Sequence, residues 1–181
     1  HLTDRLVARA EALRLRAEVD PATEVGPLVS RAQRSSVHRY TGIGKGEGAE
    51  LLCGGAPAEG GVLARGHFYR PTVFRGRPDM RIAQEEIFGP TVALLEAASA
   101  EEAVEIANGT PFGLSASIYT RDVNRAFRAM RDLENGLVYV NAGTIGSEVS
   151  TPFGGMKATG NGHREAGRQA LDTFSEWKSC F

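Results

Sequence analysis

The chain has 181 residues, 41% hydrophobic and 24% charged, a composition within the range of soluble globular proteins and a length sufficient for one sizeable core. Its 21 basic and 22 acidic side chains leave a net charge of −1, which excludes the global positive field that nucleic acid or an anionic membrane surface would require. No apolar run approaches the ~18 residues of a spanning helix, and the two cysteines, Cys53 and Cys180, form neither a disulfide framework nor a ligand cluster, so a reducing, cytoplasmic setting is expected.

Leu2, Leu6, Ala10, Leu13 and Ala17 recur at helical spacing and predict an amphipathic helix over residues 2–17. Gly26-Pro27 breaks the pattern, and Ser30 with Gln33 forms a capping box that opens a second helix, to about Gly42. "AELLCGG" reads as a buried strand ended by Gly54-Gly55, and residues 56–66 as a surface excursion. "HFYRPTVF" is extended, with Pro71 arguing against a central place in a sheet.

From Pro90 onward strands and helices alternate. "TVALLEA" is a strand; Ser99 and Glu102 make a second capping box for a helix bearing Ala103, Val104, Ile106 and Ala107. "SASIYT" is the next strand. Asp122 caps a helix in which Val123, Ala126, Phe127, Met130 and Leu133 share a face, and Gly136 stands where a left-handed helix-terminating residue is wanted. "LVYVN" follows. This alternation predicts an α/β fold, an open, largely parallel sheet with helices on both faces. Residues 141–162 carry no clear period, and a loop that long leaving a strand's carboxyl end is expected to form a site.

Several motifs dissolve on inspection. "GKGEGA" matches a dinucleotide fingerprint in letters, but it follows a helix and precedes a strand, the reverse of what phosphate binding needs, and reads as a helix-exit turn. "GLSAS" lies in a strand rather than at a nucleophile elbow, and "NGT" reads as a helix exit. His1, His38, His67 and His163 show no metal-ligand spacing. Cys53, in an apolar strand without a nearby cation, is expected to be a buried structural thiol.

"QEEIFGP" (Gln84–Pro90) is different, because two carboxylates run directly into an aromatic ring and a Gly-Pro turn. Glu85 reads as a helix-start acid favoured by the macrodipole. For Glu86 the same reading stands beside a second one. A carboxylate accepts from two hydroxyls at once, which suits a ribose diol, and the neighbouring Phe88 can lie against a planar heterocycle.

Taken in order, "EEIFGP", "TPFGLSASIYT", "GLVYVN" and "PFGGMKATGNGHREAG", with "EVGPLVS" and "FYRPTVF", resemble the aldehyde dehydrogenase superfamily over residues 2–181. The resemblance implies the C-terminal part of a catalytic domain, truncated at both ends. Residues 1–173 would be that partial domain and 174–181 the start of a C-terminal oligomerisation strand. It implies an NAD- or NADP-dependent oxidation of an aldehyde through a cysteine thiohemiacetal and thioester, by an enzyme that is a homo-oligomer. Glu86 would bind the nicotinamide ribose and Phe88 would contact the nicotinamide. "TIGSEV" resembles the anchor loop of branches that oxidise semialdehydes with a charged head, in which Gly146 and Ser147 would receive that head and Phe153 would line the aldehyde tunnel. Neither Cys53 nor Cys180 matches the family's nucleophile, which like the general-base glutamate would lie upstream, so the 181-residue chain alone is expected to be inactive. The alternative is a non-catalytic relative that binds partners through a sheet edge or subunit surface.

Overall fold

A computed structural model describes residues 2–17 and 20–181, arranged as two compact units, residues 1–96 and 97–181. In the first, α1 (Leu2–Glu11) and α2 (Arg31–Gly46) accompany a three-stranded sheet ordered β1-β2-β3, with β1 at Glu50–Cys53, β2 at Thr72–Arg75 and β3 at Thr91–Leu94. β1 runs antiparallel to β2 and β3 parallel to it. Two apolar clusters form the core. Ala49, Phe74, Met80 and Ile82 form one, and Ala10, Cys53 and Val73, under Leu6 and Val7 of α1, form the other. A parallel pair cannot be joined by a tight hairpin, so the chain must cross over between β2 and β3. That crossover contains the short helix α3 (Arg81–Gln84) and the acidic pair.

Tertiary context moves three of the expected features. α1 stops at Glu11 because Glu24 draws the following chain away, accepting from Arg9 (2.7 Å) and from both the backbone N–H and the side chain of Arg14, while Leu15 bridges to Val25. Pro71 does not exclude β2 from the centre of its sheet. The strand begins one residue later, at Thr72, so the missing N–H falls outside the ladder. α2 runs to Gly46, beyond Gly42, because Gly44 lets the helix approach Ile82, where a Cβ would stand 3.1 Å from Cγ2. "GKGEGA" is a helix exit, with Gly48 at φ +85° and the N–H of Ala49 bonded to the carbonyl of Gly44.

In the second unit, β5 (Ser115–Ile118) and β6 (Leu137–Val140) pair in parallel around the crossover helix α5 (Val123–Asp132), with α4 (Ala100–Asn108) packed on α5. β7 (Met156–Lys157), inside what the sequence reads as featureless loop, forms a short antiparallel pair with β4 (Phe112–Gly113). The fold is thus mixed α/β, its parallel pairs supplemented by antiparallel ones.

Asp122 caps α5, accepting from the N–H groups of Asn124 and Arg125. Asp122→Ala is expected to lower stability by about 1 kcal/mol, read as a shift in the denaturant midpoint. Only part of the expected apolar face of α5 is buried. Ala126 and Ala129 are buried, while Val123 and Phe127 are 63% and 66% exposed. Small residues face inward, where they permit close helix approach. Nor is Gly136 left-handed. Its backbone lies so close to the carbonyl of Gly154 that no Cβ fits, so glycine is required there for space rather than for φ. Residues 175–181 after α6 (Ala170–Phe174) pair with no strand among the described residues, leaving Trp177 93% exposed.

Candidate functional site

The crossover in the first unit is organised by one face of α2. Ser30 caps that helix by accepting from the N–H of Gln33 (3.1 Å), but the reciprocal half of the capping box is absent. Gln33 Nε2 donates instead to the carbonyls of Phe88 (2.5 Å) and Ile87 (3.3 Å). One turn on, fully buried Val37 packs so tightly on Gly89 that a Cβ there would approach Cγ2 to 2.5 Å. A turn further, the Tyr40 hydroxyl donates to Glu85 Oε2 at 2.7 Å. Gln33, Val37 and Tyr40 stand at i, i+4 and i+7, and hence share a face.

Held in this way, the loop alternates sides. Ile87 packs against the Phe74–Ile82 cluster, whereas Glu86 is exposed and Phe88 is 72% exposed. Phe88 adopts φ +50°, a left-handed conformation costing about 1–2 kcal/mol for a residue with a Cβ. Strain of this kind in an aromatic residue, fixed by a hydrogen bond to its own carbonyl, is characteristic of a presented functional group. Residues 85–89 with Ile82 and Thr91 line an open depression of roughly 530 Å³.

The two glutamates have separate fates. Glu85 is not a helix-start acid, since it follows α3 as the C-cap residue. It is stabilised there by Arg81, which grips it with Nε on Oε1 (2.7 Å) and Nη2 on Oε2 (3.0 Å), together with Tyr40. These hydrogen bonds, Arg81's first and Tyr40's second, lower its pKa to about 2. The Glu85 hydrogen bond in turn raises the pKa of Tyr40. Since the folded value lies below the ordinary one of 4.5, the pairing contributes fully above that pH and is lost as pH falls toward about 2. Glu86 has no hydrogen-bond or ion-pair partner among the described residues. A free carboxylate beside an exposed, conformationally fixed ring fits a nucleoside cofactor, one group for a diol and the other for a flat heterocycle. The loop lies at the amino end of β3, not at the strand carboxyl ends where ligands sit in open α/β sheets.

In the second unit, Gly146 is left-handed (φ +84°), with open space where a Cβ would stand, and its carbonyl accepts from the Tyr139 hydroxyl at 2.8 Å. Ser147 beside it is exposed and has no hydrogen-bond partner among the described residues. Phe153 is half-buried, its carbonyl bonded to the N–H of Glu165, and it lines a separate depression of roughly 550 Å³ with Leu114, Gly154, Gly155 and residues 158–161. The structure therefore does not bring Phe153 and the 146–147 turn into one pocket. Between β4 and β7 lies a cluster the sequence did not reveal. Lys157 (φ +52°) donates to the carbonyls of Asn108 (2.6 Å) and Thr110 (3.3 Å) and pairs with Glu134 at 2.8 Å.

The other candidates stay inert. Cys53 is buried, its Sγ 3.9 Å from the Pro71 carbonyl, and burial pushes its pKa up, the opposite of nucleophile activation. His38 pairs with the Tyr69 hydroxyl at 3.1 Å. No group of three metal-capable side chains gathers among the described residues; His1 lies outside them.

The Aldehyde dehydrogenase family model matches residues 1–180. A betaine aldehyde dehydrogenase of Mesorhizobium japonicum is 44% identical over 179 residues, which are 98% of this chain and 36% of the relative. An alpha-ketoglutarate semialdehyde dehydrogenase of Haloferax volcanii is 44% identical over 180 residues, 97% of this chain and 36% of the relative. The crystal structure of betaine aldehyde dehydrogenase from Staphylococcus aureus in complex with NAD+ superposes with a TM-score of 0.91 at 32% identity, covering 95% of this chain and 34% of that one. The chain belongs to the aldehyde dehydrogenase family. It spans about 36% of the length of the curated relatives it matches.

Proposed function

We propose that these residues are the C-terminal part of the catalytic domain of an NAD- or NADP-dependent aldehyde dehydrogenase. The observation that carries the reading is Glu86, an unpartnered carboxylate beside a left-handed, exposed Phe88. Glu86 accepts from the hydroxyls of the nicotinamide ribose, and Phe88 borders the nicotinamide face. The bound nicotinamide supplies a hydride acceptor. This chain's part is to fix the sugar and exclude water from one side of the ring. The cysteine nucleophile and glutamate base belong to residues outside the 181, since the buried Cys53 offers no reactive thiol and the exposed Cys180, like Cys53, does not match the position of the family's nucleophile.

The substrate is an aldehyde, and we assign it to semialdehydes with an anionic head. Support comes from the open Gly146–Ser147 turn, whose small residues leave backbone N–H groups approachable and whose Ser147 hydroxyl is unpartnered, and from the semialdehyde-oxidising relative. Phe153 supplies an apolar wall to the aldehyde path. Phe174, where the oligomerisation strand of residues 174–181 is expected to start, is the last residue of α6; residues 175–181 beyond it begin a strand that pairs with a second subunit, consistent with the exposure of Trp177.

The test compares the full-length polypeptide with the 181-residue chain in an assay of nicotinamide reduction. Activity is expected in the former alone, with a carboxylate-bearing semialdehyde giving the higher kcat/KM against betaine aldehyde. A full-length protein that reduces nicotinamide with neither aldehyde would sink the enzymatic reading. A preference for betaine aldehyde would remove only the anionic-head assignment.

A further inference from the structure

The acidic residue that the protein itself already holds has a task of its own. Glu85 sits at the end of α3 with extended backbone (φ −115°, ψ 149°), immediately before Glu86. In extended chain successive side chains point to opposite sides, so fixing one carboxylate fixes the direction of the next. An exposed i,i+4 pair such as Arg81–Glu85 contributes little by itself. Tyr40, however, lies 45 residues away on α2, so its 2.7 Å hydrogen bond ties the crossover to a different helix. The guanidinium carbons of Arg39 and Arg81 lie 5.6 and 5.9 Å from the Tyr40 ring centroid, so two cations steady the ring. Arg81 is further anchored through its backbone N–H, which donates to Glu47 Oε2 at 2.9 Å beyond the end of α2.

We propose that Tyr40 and Arg81 form a latch on Glu85 that aims Glu86 and Phe88 at the cofactor, which makes Tyr40 a positioning residue for nicotinamide binding; this rests on the cofactor reading given above. The latch secures the loop upstream of Glu86, and Gln33, through the carbonyls of Ile87 and Phe88, secures it downstream. With the latch broken, the Glu85–Glu86 peptide is free to rotate, and the unpartnered Glu86 has no contact of its own to hold it. The consequence is a loss in cofactor affinity rather than in the chemistry of the aldehyde, because neither Tyr40 nor Arg81 reaches the reacting atoms.

The experiment uses the full-length enzyme, NADH titrated by fluorescence and steady-state kinetics well below the melting temperature. Tyr40→Phe removes one hydroxyl and keeps the ring. It is expected to weaken NADH binding and raise the cofactor KM about three- to tenfold, only part of what a hydrogen bond to a carboxylate contributes, because Arg81 and Gln33 still hold the loop. Aldehyde KM and kcat should stay within twofold, and Tyr40→Phe should add little once Glu85 is already Ala, because the carboxylate that the hydroxyl donates to is then gone. A merely structural role would lower the melting temperature and leave this KM-against-kcat split absent. Should Tyr40→Phe fail to fold, Arg81→Lys keeps the charge, loses the bidentate fork and carries the same expectation. Unchanged NADH affinity in these variants, alongside weakened binding in Glu86→Gln, would overturn the latch and leave the cofactor reading standing. Unchanged affinity in Glu86→Gln as well would overturn both.

Discussion

Glu86→Gln in the full-length enzyme is expected to weaken productive cofactor placement by about one to two orders of magnitude, with little effect on folding. A hydrogen bond to a charged group contributes about 1.5–3 kcal/mol, and each 1.4 kcal/mol is about tenfold in an equilibrium constant. The neutral amide keeps the size of the side chain but removes the charge and replaces a two-oxygen acceptor with one acceptor and one donor, so it cannot offer each ribose hydroxyl its own oxygen. Folding should be unaffected because Glu86 is exposed and makes no contact in the protein that the substitution could break. Its neighbour provides the contrast. Glu85→Gln disturbs a carboxylate already held by Arg81 and Tyr40. Cofactor dissociation constants and melting temperatures measured together separate the two residues. Unaltered cofactor affinity and kinetics in Glu86→Gln would remove that residue from the site.

The sequence conveyed this division only in part, and the reasons are physical. Capping is local, so Ser30, Ser99 and Asp122 could be read directly and each accepts the expected N–H. Where a local signal competes with a distant partner, the distant partner prevails. Gln33 has the letter of a capping box, yet its amide bonds to carbonyls 54 and 55 residues away. The Arg81–Glu85 spacing of i,i+4 was available in the sequence, but without the short helix α3 it carried no weight, and Glu85 was assigned to a helix start instead of a helix end. No pattern in the chain pairs Tyr40 with Glu85. What periodicity does contain is the stripe Gln33, Val37, Tyr40, legible as one helical face but not as the cradle of a loop.

A similar limit applies to strands. Alternating β and α segments revealed β3, β5 and β6 because hydrophobic runs and crossover helices are local features. The β4–β7 pair is too short for any period and depends on Gly113 and Met156 meeting across an intervening helix and two strands. On α5 the periodic apolar residues and the inward face only partly coincide. A hydrophobic stripe reports what is buried somewhere, and in this chain alone Val123 and Phe127 are uncovered. The same holds for Trp177, whose exposure accords with the proposed subunit-pairing strand.

Gly136→Ala should be among the most disruptive single-methyl changes in the second unit, for a reason no dihedral preference would give. Its φ is ordinary, so the usual expectation is that alanine would stabilise by restricting the unfolded chain, by about 0.4–1 kcal/mol. The Cβ, however, would be driven into the carbonyl of Gly154 and would lie 3.2 Å from the Cα of Gly155. Both neighbours are backbone, which cannot turn aside as a side chain does. The N–H of Gly136 is meanwhile bonded to the carbonyl of Gly113, which holds the start of β6 in place. Overpacking of this kind costs about 1–3 kcal/mol, outweighing the entropic gain. A net loss of about 2 kcal/mol should lower the melting temperature by about 8 °C or more if the unit melts independently, less in a larger cooperative domain. The displaced Gly154–Gly155 segment adjoins Phe153, so the aldehyde KM should rise while the cofactor dissociation constant, set by Glu86 in the first unit, stays the same. A variant as stable as the parent would show that the two backbones separate freely, and the expected effect on aldehyde KM through Phe153 would fall with it.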